Sequence, residues 1–156
     1  MNLPESVATA MSPLFERLPL EAAMPDLVVS RPAEGEVLAL AQGAVGDPAI
    51  QANPALAAGI WLFVDDLDRS HAISQEMPDA TGSFWHGIMH RREGDFSNSH
   101  YWFRKAGVHP AMAGMEAYDA HAFIDAVSQR GNAPDLVALQ RREWAALFAW
   151  CAGQSS

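Results

Sequence analysis

Apolar residues recur along this chain at spacings of three and four and almost never alternate, which restricts the fold to packed helices. The clearest stripe is Leu56, Ile60, Phe63, Val64 and Leu67. Asn53-Pro54 opens it, with asparagine as N-cap and proline in the first helical position, and one central helix is expected over residues 53–75. His71 continues the stripe and is expected to be buried and hydrogen-bonded. Asp68 and Gln75 lie at its edge, and Asp65 faces away. After a break at residues 78–82, Phe84, Trp85, Ile88 and Met89 form the apolar side of a second helix ending near Glu93. A short third helix, capped by Asp95 or Ser97, carries Tyr101, Trp102 and Phe103 to Gly107. Residues 119–130 and 134–152 read as two more, and a short one precedes them all at 33–42. The best strand-like run is residues 27–30.

The expectation is an all-α, single-domain helical bundle of five or six helices. Its helical body covers residues 31–152. Residues 1–30, broken by Pro4, Pro13 and Pro19, form an irregular arm with one helical turn around 11–18.

Composition narrows the partners. Hydrophobic residues at 49% and charged residues at 19% are enough to bury a core without staples. The single cysteine, Cys151, allows no internal disulfide and no thiolate metal site, which favours a reducing compartment and a cytoplasmic protein. The first twenty residues lack the basic and apolar segments of a signal peptide. The longest apolar stretch, residues 55–64, is too short to span a bilayer, so no membrane partner is expected. Net charge is -9, and residues 1–79 carry twelve acidic and three basic side chains against seven of each in residues 80–156. A polyanion would be repelled by the first half, so nucleic acid is not an expected partner. Arg91, Arg92, Arg104 and Lys105 can still meet a small anion.

Polar chemistry is concentrated in one stretch. All six histidines lie between positions 71 and 121. His86 and His90 are four apart and Glu93 three further on, which places all three on one helical stripe. Two imidazoles and a carboxylate suit zinc, iron, nickel or manganese, and Asp68 or His71 of the preceding helix can complete the set. The spacing His-x-x-x-His-x-x-Glu lacks the internal glutamate of a zincin helix. The same residues could instead be a hydrogen-bonded network paired to Arg91 or Arg92. On the third helix, Ser97, His100 and Arg104 share one face and Asn98, Tyr101 and Lys105 another, offering donors to a polar ligand or salt bridges to Glu93 and Asp95. Of the run Tyr101-Trp102-Phe103, core packing explains two, and the third is expected to meet a partner segment or subunit. There is no glycine-rich phosphate loop and no nucleophile elbow. Ser70 and His71 are neighbours on a helix and diverge too far to act as nucleophile and base.

The densest part of the stretch from Trp61 to Pro110 is Gly82-Ser83-Phe84-Trp85-His86-Gly87-Ile88-Met89-His90-Arg91-Arg92-Glu93-Gly94-Asp95-Phe96. With Asn98, Tyr101-Trp102-Phe103-Arg104 and His109-Pro110, it resembles a family of small uncharacterised bacterial proteins with relatives in fungi, over about a third of the chain. The signature has the form WHxIxHRREGDFxNxxYWFR. Lys105-Ala106-Gly107 stands where the family has a second arginine and a valine before the glycine. The resemblance implies a shared polar site and supplies no reaction.

Two functions are therefore carried forward. In the first, a pocket walled by Asp68, His71, His86, His90, Glu93, Asn98, Tyr101 and Arg104 binds a divalent metal or a small polar ligand. Hydrolytic or acid–base chemistry is the reaction class such groups suit. In the second, the chain is a non-catalytic interaction module whose aromatics pack a homodimer.

Overall fold

The computed structural model describes residues 1–154. Among them are nine α-helices and one 3-10 turn, and no strand. The helices are α1 Glu5–Arg17, α2 Glu36–Val45, α3 Pro48–Gln51, α4 Pro54–Phe63, α5 Leu67–Ser74, α6 Ala80–Glu93, α7 Phe96–Ala106, α8 Ala120–Arg130 and α9 Pro134–Gly153, with the turn at Pro110–Gly114 between α7 and α8. The all-α expectation holds, and the expected five or six helices become nine.

Three differences account for the extra helices. The first is at the N-terminus, where α1 is a regular 13-residue helix with Pro13 inside it. Proline removes one amide donor, here from the bond to the solvent-facing turn at Thr9, and the helix survives because Val7, Ala10, Met11 and Leu14 are buried in the core. The second is at Asp47-Pro48, which lies outside every helix expected from the sequence. Asp47 accepts a hydrogen bond from the Ala49 N–H and caps the single turn of α3.

The third matters most for function. The central helix expected over 53–75 is two helices, α4 and α5, separated at Val64, Asp65 and Asp66. Asp65 has φ +63°, a left-handed conformation uncommon for residues other than glycine and one that aspartate, with asparagine, tolerates better than most. Asp66 then caps α5 by accepting from the Arg69 N–H. The α5 axis is thereby released from the α4 direction, and His71 leaves the stripe to which the sequence assigned it.

Helix α4 is buried from Ala55 to Phe63, on every side, as befits a helix apolar all round. It packs against α2, α3, α5, α6 and α9. The Trp144 indole N–H of α9 donates to the Gly59 carbonyl at 2.8 Å. Helices α6 and α7 form an antiparallel hairpin. Gly94, at φ 87°, ends α6, and the Asp95 N–H bonds back to the His90 carbonyl while the Asp95 side chain caps α7. The two helices meet closely at Gly87, where a Cβ would lie 2.7 Å from the Phe103 ring.

Gly87→Ala is therefore expected to destabilise the protein by about 1–3 kcal/mol, because Phe103 is itself wedged against Phe84 and cannot retreat. Urea denaturation of the variant checks this; a loss below a few tenths of a kcal/mol would mean the hairpin is packed more loosely.

Candidate metal centre

Helix α6 carries the site, and its burial is unusual. Every residue from Thr81 to Arg92 is buried, although the helix is polar on average. Such a helix is stable only if its polar groups find partners. Ser99 donates its hydroxyl to the Gly87 carbonyl at 2.7 Å, and the Thr81 hydroxyl meets His109 Nε2 at 2.9 Å.

Arg91 and Arg92 correct the alternative in which they pair with the His86, His90 and Glu93 network. Both are fully buried. Arg91 reaches α9, donating two hydrogen bonds to the Glu143 carboxylate at 3.0 and 2.8 Å, and it lies over the Phe123 ring at 4.1 Å. The Tyr118 hydroxyl also donates to Glu143. Burial, reinforced by the Glu143 charge, holds the Tyr118 phenol far above its ordinary pKa, so it stays a donor. Arg92 holds the α4–α5 break: it donates to the Leu62 carbonyl at 2.7 Å, to Asp65 at 2.6 Å and to the Asp26 carbonyl at 3.1 Å. Both arginines are thus structural ties.

The opposite side of α6 presents His86 and His90 to His71 of α5. One nitrogen from each of these three rings lies within 4.8 Å of the others. The ring centroids are 4.7 Å apart for His71 and His86, 5.6 Å for His71 and His90, and 4.8 Å for His86 and His90. His86 is 3% exposed and His90 9%. His71 is half-buried, and its side chain makes no hydrogen bond among the described residues, contrary to the buried, hydrogen-bonded histidine expected. His86 Nδ1 is buried without a partner among the described residues. Trp102 of α7 lies flat against the His86 ring, 3.7 Å between centroids and 12° between planes. Burial, with the neighbouring His90, His71 and Lys105, pushes the His86 pKa down to about 3, so this imidazole is neutral across the physiological range.

Glu93 shares the stripe but not the three-ring cluster. Its carboxylate bonds His90 Nδ1 at 2.6 Å. A carboxylate only accepts, so Nδ1 carries the proton of this bond, which leaves Nε2 as the ring nitrogen not committed to Glu93. Glu93 and Asp95 do lie near enough to His90 to make a second carboxylate-rich group. Asp95 is committed elsewhere: the Asn98 side-chain amide at 2.7 Å and the Asn98 backbone N–H hold its carboxyl below the ordinary value.

The other expected pocket residues are dispersed. Asp68 is exposed and lines a shallow groove of about 160 Å³ with Val29, Arg31, Asp65 and Asp66. Asn98 is spent on the α7 cap. Tyr101 is 46% exposed and meets the Trp102 ring edge-on. Arg104 is exposed and forms no ion pair with Glu93 or Asp95 among the described residues. His100 turns away to α8, where its Nδ1 meets His121 Nδ1 at 2.7 Å and its Nε2 meets Asp125 at 2.9 Å. The three consecutive aromatics divide as their directions require: Phe103 is core, Trp102 covers His86, and Tyr101 faces outward.

Trp102 as the cover of His86, and Glu143 as the partner of Arg91, escaped sequence reasoning. Trp102 was legible in principle, since the short turn at Gly94-Asp95 folds α7 back along α6. Glu143 lies 52 residues beyond Arg91 and carried no local signal.

Comparison with protein-family models, curated proteins and solved structures gave no match. Among the described residues, no helix is long and apolar enough to cross a membrane.

Proposed function

We propose that the chain binds one divalent transition-metal ion through His71, His86 and His90, with Glu93 orienting His90 and the fourth position open to water or a small polar ligand. The observation that carries this reading is the meeting of three imidazole nitrogens within 4.8 Å, one of the rings buried, neutral and holding an unpartnered Nδ1. Neutral imidazoles favour zinc, iron or nickel over manganese, which prefers carboxylates. The His90–Glu93 pair has the form of the carboxylate–histidine arrangement that fixes a ligand's tautomer. Zinc bonds of about 2.0–2.1 Å require the nitrogens to close to about 3.3 Å, a movement within reach of side-chain rotation in half-buried His71. Three protein ligands with an open position are the pattern of catalytic zinc, where a bound water becomes acidic enough for hydrolytic chemistry.

The test is zinc titration by calorimetry, together with elemental analysis of protein purified without chelator. The wild-type chain is expected to take up one equivalent. His86→Ala/His90→Ala is expected to take up none while keeping its helical circular dichroism, because Phe84 and Ile88 still anchor α6. Equal binding by the double variant would sink the proposal and favour the interaction-module reading.

A further inference from the structure

The three imidazoles of the candidate centre are held by different means. His90 is fixed by the Glu93 carboxylate at its Nδ1. His71 is half-buried and is the ring free to turn towards an ion. His86 has no hydrogen bond at Nδ1 among the described residues, and at 3% exposure bulk water does not orient it. The torsion that sets a histidine ring's plane is soft, with broad two-fold wells, so the plane of His86 is decided by what packs against it.

Trp102 is what packs there. Its indole lies face to face with the His86 ring, centroids 3.7 Å apart and planes within 12°. The indole is itself steadied, by the Tyr101 ring edge-on at 5.3 Å and by the Lys105 ammonium 4.7 Å from its centre. A bond from imidazole to metal lies in the ring plane, so a wall that fixes the plane fixes the direction in which His86 can offer a nitrogen. An ion held at that nitrogen draws electron density from the imidazole, which makes it a better partner for the electron-rich indole face. The stack therefore tightens as the site fills.

We infer that Trp102 is a positioning residue of this centre, doing for His86 by stacking what Glu93 does for His90 by a hydrogen bond. The inference rests on the metal reading above. Partners one step removed from an ion contribute about tenfold or more to its affinity.

The experiment titrates zinc into the full wild-type chain, Trp102→Leu and Trp102→Phe, by calorimetry and by indole emission. Trp102 is half-buried, and α7 is anchored in the core by Ser99, Phe103 and Ala106, so both variants are expected to keep the helical circular dichroism of the metal-free protein. Wild-type emission is expected to change saturably with zinc, because the ring against the Trp102 indole gains a bound cation. Trp102→Leu is expected to bind zinc about tenfold more weakly. Trp102→Phe keeps an aromatic face on His86 and is expected to recover most of that affinity while losing the zinc-dependent emission change. Zinc affinity in Trp102→Leu equal to wild type, or an emission change undiminished in Trp102→Phe, overturns the inference and leaves the metal site standing. A wild-type chain that takes up no zinc removes both.

Discussion

Glu143→Ala is expected to destabilise the protein by about 3–5 kcal/mol, a large share of the roughly 5–15 kcal/mol that holds a domain of this size together. The removed carboxylate is the acceptor for both prongs of the Arg91 guanidinium and for the Tyr118 hydroxyl. Arg91 is completely buried, so without Glu143 its charge has only the longer 3.4 Å contact to Gln140 and the face of Phe123. The expense comes from the stranded cation, not from the loss of an attractive pair. Arg91→Met/Glu143→Leu removes both charges and is expected to recover most of the lost stability, since well-packed apolar replacements of buried pairs are often neutral. Guanidinium denaturation of the three proteins measures this. A Glu143→Ala loss under about 1 kcal/mol would mean that water reaches Arg91.

Acid should destabilise the metal-free protein well before its carboxylates protonate. The folded chain holds His86 neutral down to about pH 3, whereas in the unfolded chain it takes up a proton near the ordinary histidine value of 6.5. Between these values the unfolded state binds the extra proton, so stability is full above about pH 6.5 and is lost as pH falls towards 3. The contribution is on the order of several kcal/mol. In denaturation curves recorded with chelator present, His86→Phe is expected to flatten the slope of stability against pH in this window, whatever its effect at neutral pH. An unchanged slope would mean that His86 is solvated and ordinary. Zinc should steepen the slope, because protons compete for the same nitrogens.

Much of this architecture was legible, and the failures share a physical cause. The caps at Asn53 and Asp95, the stop at Gly94 and the common stripe of His86, His90 and Glu93 depend on neighbours within one or two turns, and they stand in the structure as the residues indicated. The division of α4 from α5 depends on Asp65 being held left-handed by Arg92, 27 positions away, and nothing in the local run of apolar and acidic residues announces it. Arg91 and Arg92 were read as partners of the His86, His90 and Glu93 network or of a small anion; they are instead buried against Glu143 and the Leu62 carbonyl, both far away in the chain. Pro13 was read as a breaker because its cost is local while the packing that overrides it is not. His71 meets the rings of His86 and His90 for a reason the stripe did not contain. The stripe that nominated it ends at Phe63, and the turn at Asp65 delivers it to the other two rings.

That turn bears on the order in which the chain assembles. His71, His86, His90, Glu93 and Trp102 fall within the segment from α5 to α7, joined by short connections, so they can come together by closing small loops before the distant α9 docks. Arg91 must wait for Glu143. An ion that favours the three-histidine arrangement would then favour it early, while the far end of the chain is still loose. Refolding from urea should accordingly accelerate when zinc is supplied at the start, and the metal would be a participant in making the fold as well as its eventual cargo.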